Sequence, residues 1–279
     1  MKATTNNSAH QARAIIPWIG GKSGLADKII ALIPPHHCYV EVFAGAGSIL
    51  FRKPESRVEI LNDINLELVT LYRVIKHHLD EFIRYLRWQL TAREEFLRFK
   101  ATDPATLTDV QRAVRFYFLL RTSFTPSPRS TTFRCDTNSR PKLNLLRMEE
   151  HLSEVHIRLA EVFIENLPYS TAIERFDKPE TFFYLDPPYY GCEKDYGKGL
   201  FARSDFTRIA ELLRSIKGQF MLSLNDRAET RALFRGFKIR TVTTHYRVAS
   251  ARHKPVRELL ITNYRPGAGG AGKPFKTGV

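Results

Sequence analysis

The sequence predicts an α/β fold: a mostly parallel sheet interrupted by a long, mainly helical insertion. Three observations carry this. Short runs rich in β-branched and aromatic residues recur at 39–43, 58–61, 162–164, 181–185 and 220–224, with helical spacing between them. Over 65–159 the apolar residues recur at three- and four-residue spacing, with no strand signal of comparable quality. Two of the strand runs stop at ligand-type residues, the glycine turn Ala44-Gly45-Ala46-Gly47-Ser48 and the tetrad Asp186-Pro187-Pro188-Tyr189. In open α/β sheets ligands bind at such carboxyl ends.

Residues 1–13 are polar and predict a flexible tail, as does the glycine-rich stretch 266–279. Pro17-Trp18-Ile19-Gly20-Gly21-Lys22 follows, with glycines that let backbone approach a ligand and a lysine that brings a point charge. This is not a phosphate-binding loop, because Ile16 stands where that motif needs its first glycine and no strand precedes it. A helix is expected over 25–32, ended by Pro34-Pro35. Strand 39–43 then enters the glycine turn, and Ile49-Leu50-Phe51 should start a helix. That is the first strand–turn–helix of a Rossmann-like sheet, although Leu50 replaces the third glycine of the dinucleotide fingerprint. Strand 58–61 ends in Asn62-Asp63, where an acid is placed to take ribose hydroxyls and also suits a helix N-cap.

Within the insertion, Leu68, Leu71, Tyr72, Ile75, Leu79, Phe82 and Leu86 mark a helical face, and further helices are expected over 94–99 and 110–120. These stripes read as core. Residues 121–141 are rich in Ser, Thr, Arg and Pro and predict a loop or irregular hairpin. Its arginines and hydroxyls suit phosphate contacts, Arg and Asn also read base edges, and Phe124 and Phe133 are candidates to wedge or stack. Leu152, Val155, His156 and Leu159 mark another helix, with His156 expected as a satisfied core histidine. Strand 162–164 follows, then Asn166-Leu167-Pro168-Tyr169. Beyond the tetrad come a glycine-containing loop over 192–203, an amphipathic helix over 206–216, strand 220–224 and two closing strands at 237–243 and 256–262.

The tetrad is where the chemistry is expected. Neither proline can donate to a sheet ladder, so the strand must end at Asp186 or just before it. An aromatic amine is a poor nucleophile because its lone pair is delocalised. A carboxylate accepting one N–H and the Pro187 carbonyl accepting the other would pull that nitrogen towards tetrahedral geometry, with the Tyr189 ring stacked on the base.

The bulk numbers narrow the partners. A net charge of +14 over 279 residues points to a polyanion, most commonly nucleic acid. No apolar run is long enough to span a membrane and no secretory signal is visible, so a cytoplasmic protein is expected. Cys38, Cys135 and Cys192 are too scattered for a disulfide framework or a metal site, and nothing calls for an obligatory protein partner.

Taken in order, Pro17 to Lys22, Glu41-Val42-Phe43-Ala44-Gly45-Ala46-Gly47-Ser48, Asn62-Asp63-Ile64, the helical insertion and Asp186-Pro187-Pro188-Tyr189 resemble the Dam-type DNA adenine N6-methyltransferases, phage-encoded members included. The resemblance spans roughly residues 15–264. It implies a methyltransferase sheet (14–64 and 160–265), a target-recognition insertion (65–159), S-adenosyl-L-methionine as methyl donor and double-stranded DNA as substrate. It further implies that Trp18, Gly21, Lys22, Phe43, Ala44, Gly45, Gly47, Asp63, Ile64, Tyr169 and Asp186 form the cofactor site. Asp186, Pro187, Pro188 and Tyr189 would hold a flipped adenine, and Arg121, Arg129, Arg134, Asn138 and Arg140 would lie on DNA. The segment around 121–140 departs from the better-known Dam pattern, so no GATC target follows. RNA methylation, methylation of a protein amide, and a DNA-binding relative without catalysis are the rival readings.

Overall fold

The computed structural model describes residues 12–124, 132–135, 137, 143–193, 199–245 and 255–265. Among these, seven strands form one sheet: β1 (Cys38–Glu41), β2 (Val58–Asn62), β3 (Val162–Glu165), β4 (Thr181–Leu185), β5 (Gln219–Asn225), β6 (Lys238–His245) and β7 (Pro255–Thr262). Their order is β3-β2-β1-β4-β5-β7-β6. The first five are parallel, and β7 runs antiparallel to both β5 and β6. Strand order reverses between β1 and β4, which is where a doubly wound sheet opens a crevice at its carboxyl edge. Every residue of β4 is buried, as expected of a central parallel strand covered on both faces.

One face of the sheet carries α2 (Leu66–His77), α3 (Leu79–Arg87), α5 (Asp109–Thr122) and α6 (Leu145–Leu159). Leu71, Phe82, Tyr117 and Leu152 from these helices share a core with Tyr39, Phe182 and Tyr184 of the sheet. The other face carries α7 (Tyr169–Phe176), α8 (Arg203–Ser215) and α9 (Ala228–Leu233), with Ile173, Phe206, Ile209 and Phe234 packed on Phe183, Leu185 and Phe220. The short α1 (Ala26–Ile30) follows a 3-10 turn at Lys22–Gly24. The helix α4 (Arg93–Ala101) stands apart on its own small cluster, in which Phe96 and Phe99 meet Phe118 and Leu119 of α5.

Several sequence expectations are corrected. Ile49 begins a single turn, not a helix: Phe51 N–H reaches the Gly47 carbonyl and Lys53 N–H the Ile49 carbonyl, and then Pro54 removes the next donor. The N-cap of α2 is Asn65, whose side chain accepts from the N–H groups of Glu67 and Leu68, not Asp63. The predicted tail is anchored at its end, since Ala12 packs into the core and the Arg13 carbonyl bonds the His151 ring. Residues 1–11 and 266–279 lie outside the described residues. Helices α7 and α9 were not foreseen. His156 is a bonded histidine as expected, its Nδ1 lying 2.9 Å from the Ile75 carbonyl.

Candidate active site

The carboxyl ends of β1, β2 and β4 frame one crevice. Trp18, Gly21, Lys22, Phe43, Ala44, Gly45, Asp63, Ile64, Tyr169, Asp186 and Pro188 all line it. Strand β1 ends at Glu41, so the turn after it crosses the crevice floor. Gly45 and Gly47 both have positive φ there, +48° and +64°, a region costly for other residues. A Cβ on Gly45 would come within 2.8 Å of the Trp18 indole, and one on Gly47 within 2.6 Å of the Phe51 ring. Gly45 thus lets the turn sit against Trp18, and Gly47 lets it sit against Phe51.

Asp63, at the end of β2, accepts from Gly45 N–H at 2.9 Å and Asn65 N–H at 2.8 Å, one on each oxygen. Burial pushes its carboxyl up, and these N–H donors oppose that rise. The Ile64 N–H also faces this carboxylate, and since a carboxylate has about four lone-pair sites, some acceptor capacity remains for a ligand hydroxyl. On the opposite wall the Tyr169 ring stacks on Phe43 at 5.7 Å between centroids and 27° between planes. Tyr169 heads α7, and its hydroxyl donates to Asp205 Oδ1 at 2.7 Å. Asp205 Oδ2 in turn accepts the Ala202 N–H at the start of α8. Leu200 and Phe201 complete this wall.

The tetrad follows β4. Strand pairing stops at Leu185, as two prolines require. Pro187 and Pro188 are buried, whereas Tyr189 is half-buried. Asn225, from the end of β5, clamps the backbone just beyond: it accepts the Tyr190 N–H and donates to the Tyr190 carbonyl, both at 3.0 Å. Lys22 is 3% exposed and donates to Asp186 Oδ1 at 2.6 Å and to the Gly20 carbonyl at 3.1 Å. The same ammonium lies 3.4 Å from Glu258 Oε1 and 4.9 Å from the centre of the Tyr189 ring. The carboxyl of Asp186 is raised to about 6: burial raises it most, Lys22 pulls it down and Glu258 pushes it up again. Glu41 also lines the crevice and accepts from Tyr39 Oη and Leu50 N–H. Burial pushes it up to about 8. Glu41 therefore holds its proton to higher pH than Asp186 does.

Of the residues expected on DNA, Arg129, Asn138 and Arg140 lie outside the described residues. Arg121 and Arg134 flank a short antiparallel contact in which Ser123 pairs with Phe133 and Phe124 N–H bonds the Thr132 carbonyl. The two phenylalanines there part ways. Phe133 packs on Phe96 and belongs to the α4 cluster, so it is taken up in packing and not free to wedge. Phe124 is 58% exposed, with the Arg134 guanidinium 6.0 Å from its ring.

Glu41, Asp205, Asn225 and Glu258 were not singled out from sequence. Glu41 and Asn225 carry a signal, a polar residue at the end of an apolar strand. Asp205 and Glu258 carry no local signal, because their partners come from elements distant in sequence.

Comparison with known proteins bears on this crevice. The family model of D12 class N6 adenine-specific DNA methyltransferases matches residues 18–248. The DNA adenine methylase of Escherichia coli (strain K12) is 27% identical over 277 residues, covering 91% of this chain and 96% of that protein. That of Salmonella typhi is 28% identical with the same coverage. The type II methyltransferase M1.LlaDCHI of Lactococcus lactis subsp. cremoris is 26% identical over 280 residues, covering 90% and 95%.

Proposed function

The chain belongs to the D12 class of N6 adenine-specific DNA methyltransferases, and we propose that it performs this reaction in the crevice at the carboxyl ends of β1 and β4. The observation that carries the assignment of residues is the convergence of Asp63, the Phe43–Tyr169 wall and Asp186 on one cleft. S-adenosyl-L-methionine, when bound, supplies an electrophilic methyl group. Asp63 suits ribose hydroxyls through its remaining acceptor capacity. Phe43 and Tyr169 suit the flat face of a purine, with Ile64, Ala44 and Gly45 beside them. Trp18, Gly21 and Lys22 close the end nearest Asp186.

The target adenine leaves the duplex stack at a cost of a few kcal/mol. Asp186 accepts one N–H of its amino group, and the Pro187 carbonyl accepts the other. The nitrogen lone pair then turns out of conjugation with the ring. Tyr189 stacks on the base, and Lys22 steadies both by touching the carboxylate and lying beside that ring. Asp186 need not be a strong base, because the amine becomes acidic once it carries the methyl group and releases its proton afterwards. Catalysis is positioning plus electrostatics. As pH falls through about 6 Asp186 gains a proton and loses acceptor strength, and turnover should fall on that limb.

The segment 65–159 is the target-recognition part in this reading. Its outer portion, α4 with the contact between Ser123 and Phe133, offers Phe124 and Arg134 to the duplex, with Arg121 behind them beside the Tyr117 ring, while α2 and α6 belong to the wall of the sheet.

The test is incubation with radiolabelled S-adenosylmethionine and unmethylated duplex DNA, followed by digestion to nucleosides. Label in N6-methyladenine is expected. Label in another nucleoside, or none while S-adenosylhomocysteine binds, contradicts the proposal. Asp63→Ala should weaken S-adenosylhomocysteine binding in calorimetry about tenfold or more, which checks the cofactor wall without turnover.

A further inference from the structure

The closing hairpin carries a carboxylate that the reaction so far leaves unused. Glu258 lies on β7, on the same face as Leu260, opposite Asn225 of β5 and Val242 of β6. It is fully buried. Ser223 Oγ donates to its Oε1, and that same oxygen lies 3.4 Å from the Lys22 ammonium. Burying an ionisable group in the middle of a strand is costly, and an apolar residue of similar size would pack there at lower cost. Packing alone does not explain a glutamate at this position.

Its placement gives a reason. Lys22 sits between two carboxylates from different strands, Asp186 after β4 and Glu258 on β7. Facing Asp186 are Lys22 from the 3-10 turn, Glu41 from β1, Tyr184 from β4 and Glu258 from β7, with Tyr189 beside Lys22. One cation shared by two anions neutralises neither fully. We propose that Glu258 is a positioning residue of the methyl transfer: from 3.4 Å it shares the charge of the Lys22 ammonium that Asp186 holds at 2.6 Å, so that Asp186 keeps acceptor strength for the adenine amino group. This rests on the assignment of Asp186 as that acceptor. Ser223 fixes the Glu258 carboxylate in turn. The negative charge of Glu258 also raises the Asp186 carboxyl, so the two effects share one origin.

The experiment is the pH dependence of kcat/KM for Glu258→Gln in the full chain, with S-adenosylhomocysteine affinity measured alongside. Expected are retained affinity, a roughly tenfold fall in kcat at neutral pH, and an acid limb whose midpoint moves down by about one pH unit, because the charge that raised Asp186 is gone. Should the glutamine variant fail to fold, Glu258→Asp keeps the charge but withdraws it by one methylene, and its midpoint moves the same way by less. A midpoint unmoved in whichever variant folds overturns the proposal, as does loss of turnover and cofactor affinity in equal measure. Asp186→Asn separates the two levels. If it stays active, the assignment of Asp186 fails; if it is inactive while Glu258→Gln matches the wild type, the role of Glu258 alone fails.

Discussion

Two buried lysines, at opposite ends of the sheet, show how the same chemistry serves two ends. At the amino end, Lys53 pairs with Glu59, which also pairs with Arg158, and the lysine further contacts the Pro54 carbonyl, Ser56 Oγ and the face of the Tyr39 ring. Lys53 and Glu59 are sealed, at 5% and 3% exposed. At the carboxyl end, Lys22 pairs with Asp186 and Glu258, and the Asp186 side chain is 18% exposed to the crevice. The lower cluster has two cations around one anion; the upper has two anions around one cation. Burial pushes the Glu59 carboxyl up, but Arg158 and Lys53 outweigh it and hold it below its ordinary value. The Asp186 carboxyl is held above its ordinary value. A closed cluster that satisfies its anion serves the fold. An open cluster that leaves an anion under-satisfied has capacity left for a ligand.

Charge counting says how to break each cluster. Removing the member that stands alone leaves two like charges buried together, which costs about 3–5 kcal/mol. Glu59→Gln should lose that much in urea unfolding while the folded fraction keeps its turnover. Lys22→Met should lose stability on the same scale, and turnover with it. Removing one of the paired members leaves a balanced ion pair. Lys53→Met, which leaves Glu59 with Arg158, should therefore cost about 1.5 kcal/mol or less beyond the loss of its own contacts. A Lys53→Met loss as large as that of Glu59→Gln would show that charge balance is not what decides.

The pH dependence sharpens the contrast, because the two clusters have opposite signs. Glu59 is depressed, so its contribution to stability is present above the ordinary glutamate value and is lost as pH falls through its folded value. Asp186 and Glu41 are raised, to about 6 and about 8, so theirs is full below the ordinary carboxylate range and is lost as pH rises through 6 to 8. Unfolding free energy measured from pH 5 to pH 9 should fall, and Glu41→Gln should flatten most of that fall. An unchanged slope in the variant would remove Glu41 from the account.

Smaller effects are expected further out. Asp205→Ala frees the Tyr169 hydroxyl and the Ala202 N–H together, and should weaken S-adenosylhomocysteine binding about fivefold. Arg134→Ala should weaken duplex binding and lower its salt slope by about one, if the guanidinium meets a phosphate. Unchanged salt dependence would take it off the interface.

What was legible in the sequence was local. The β4 run and its abrupt stop at two prolines mark the strand end and the tetrad together. The glycine turn and Asp63 are readable because the strands before them are short and apolar. Lys22 was readable as a charge in a glycine-rich stretch, but its partners were not, since Asp186 lies 164 positions away. Glu258 follows Arg257, and the charged pair disguises a face it shares with Val256 and Leu260; β6 and β5 pair on either side of it. Phe124 and Phe133 looked equivalent, and the packing of α4 on Phe133 separates them. Helix α7 carried a signal in Ala172, Ile173 and Phe176, obscured by the proline before it.

The central claim is that the Lys22 cluster is built for chemistry and the Lys53 cluster for the fold. Asp186→Asn tests it most directly, measured for turnover and for melting temperature on one preparation. Asparagine leaves Lys22 balanced by Glu258, so turnover should fall about 10²–10³-fold while the melting temperature holds or rises. A melting temperature that drops as far as that of Glu59→Gln, with turnover lost only in proportion to the unfolded fraction, would contradict the account.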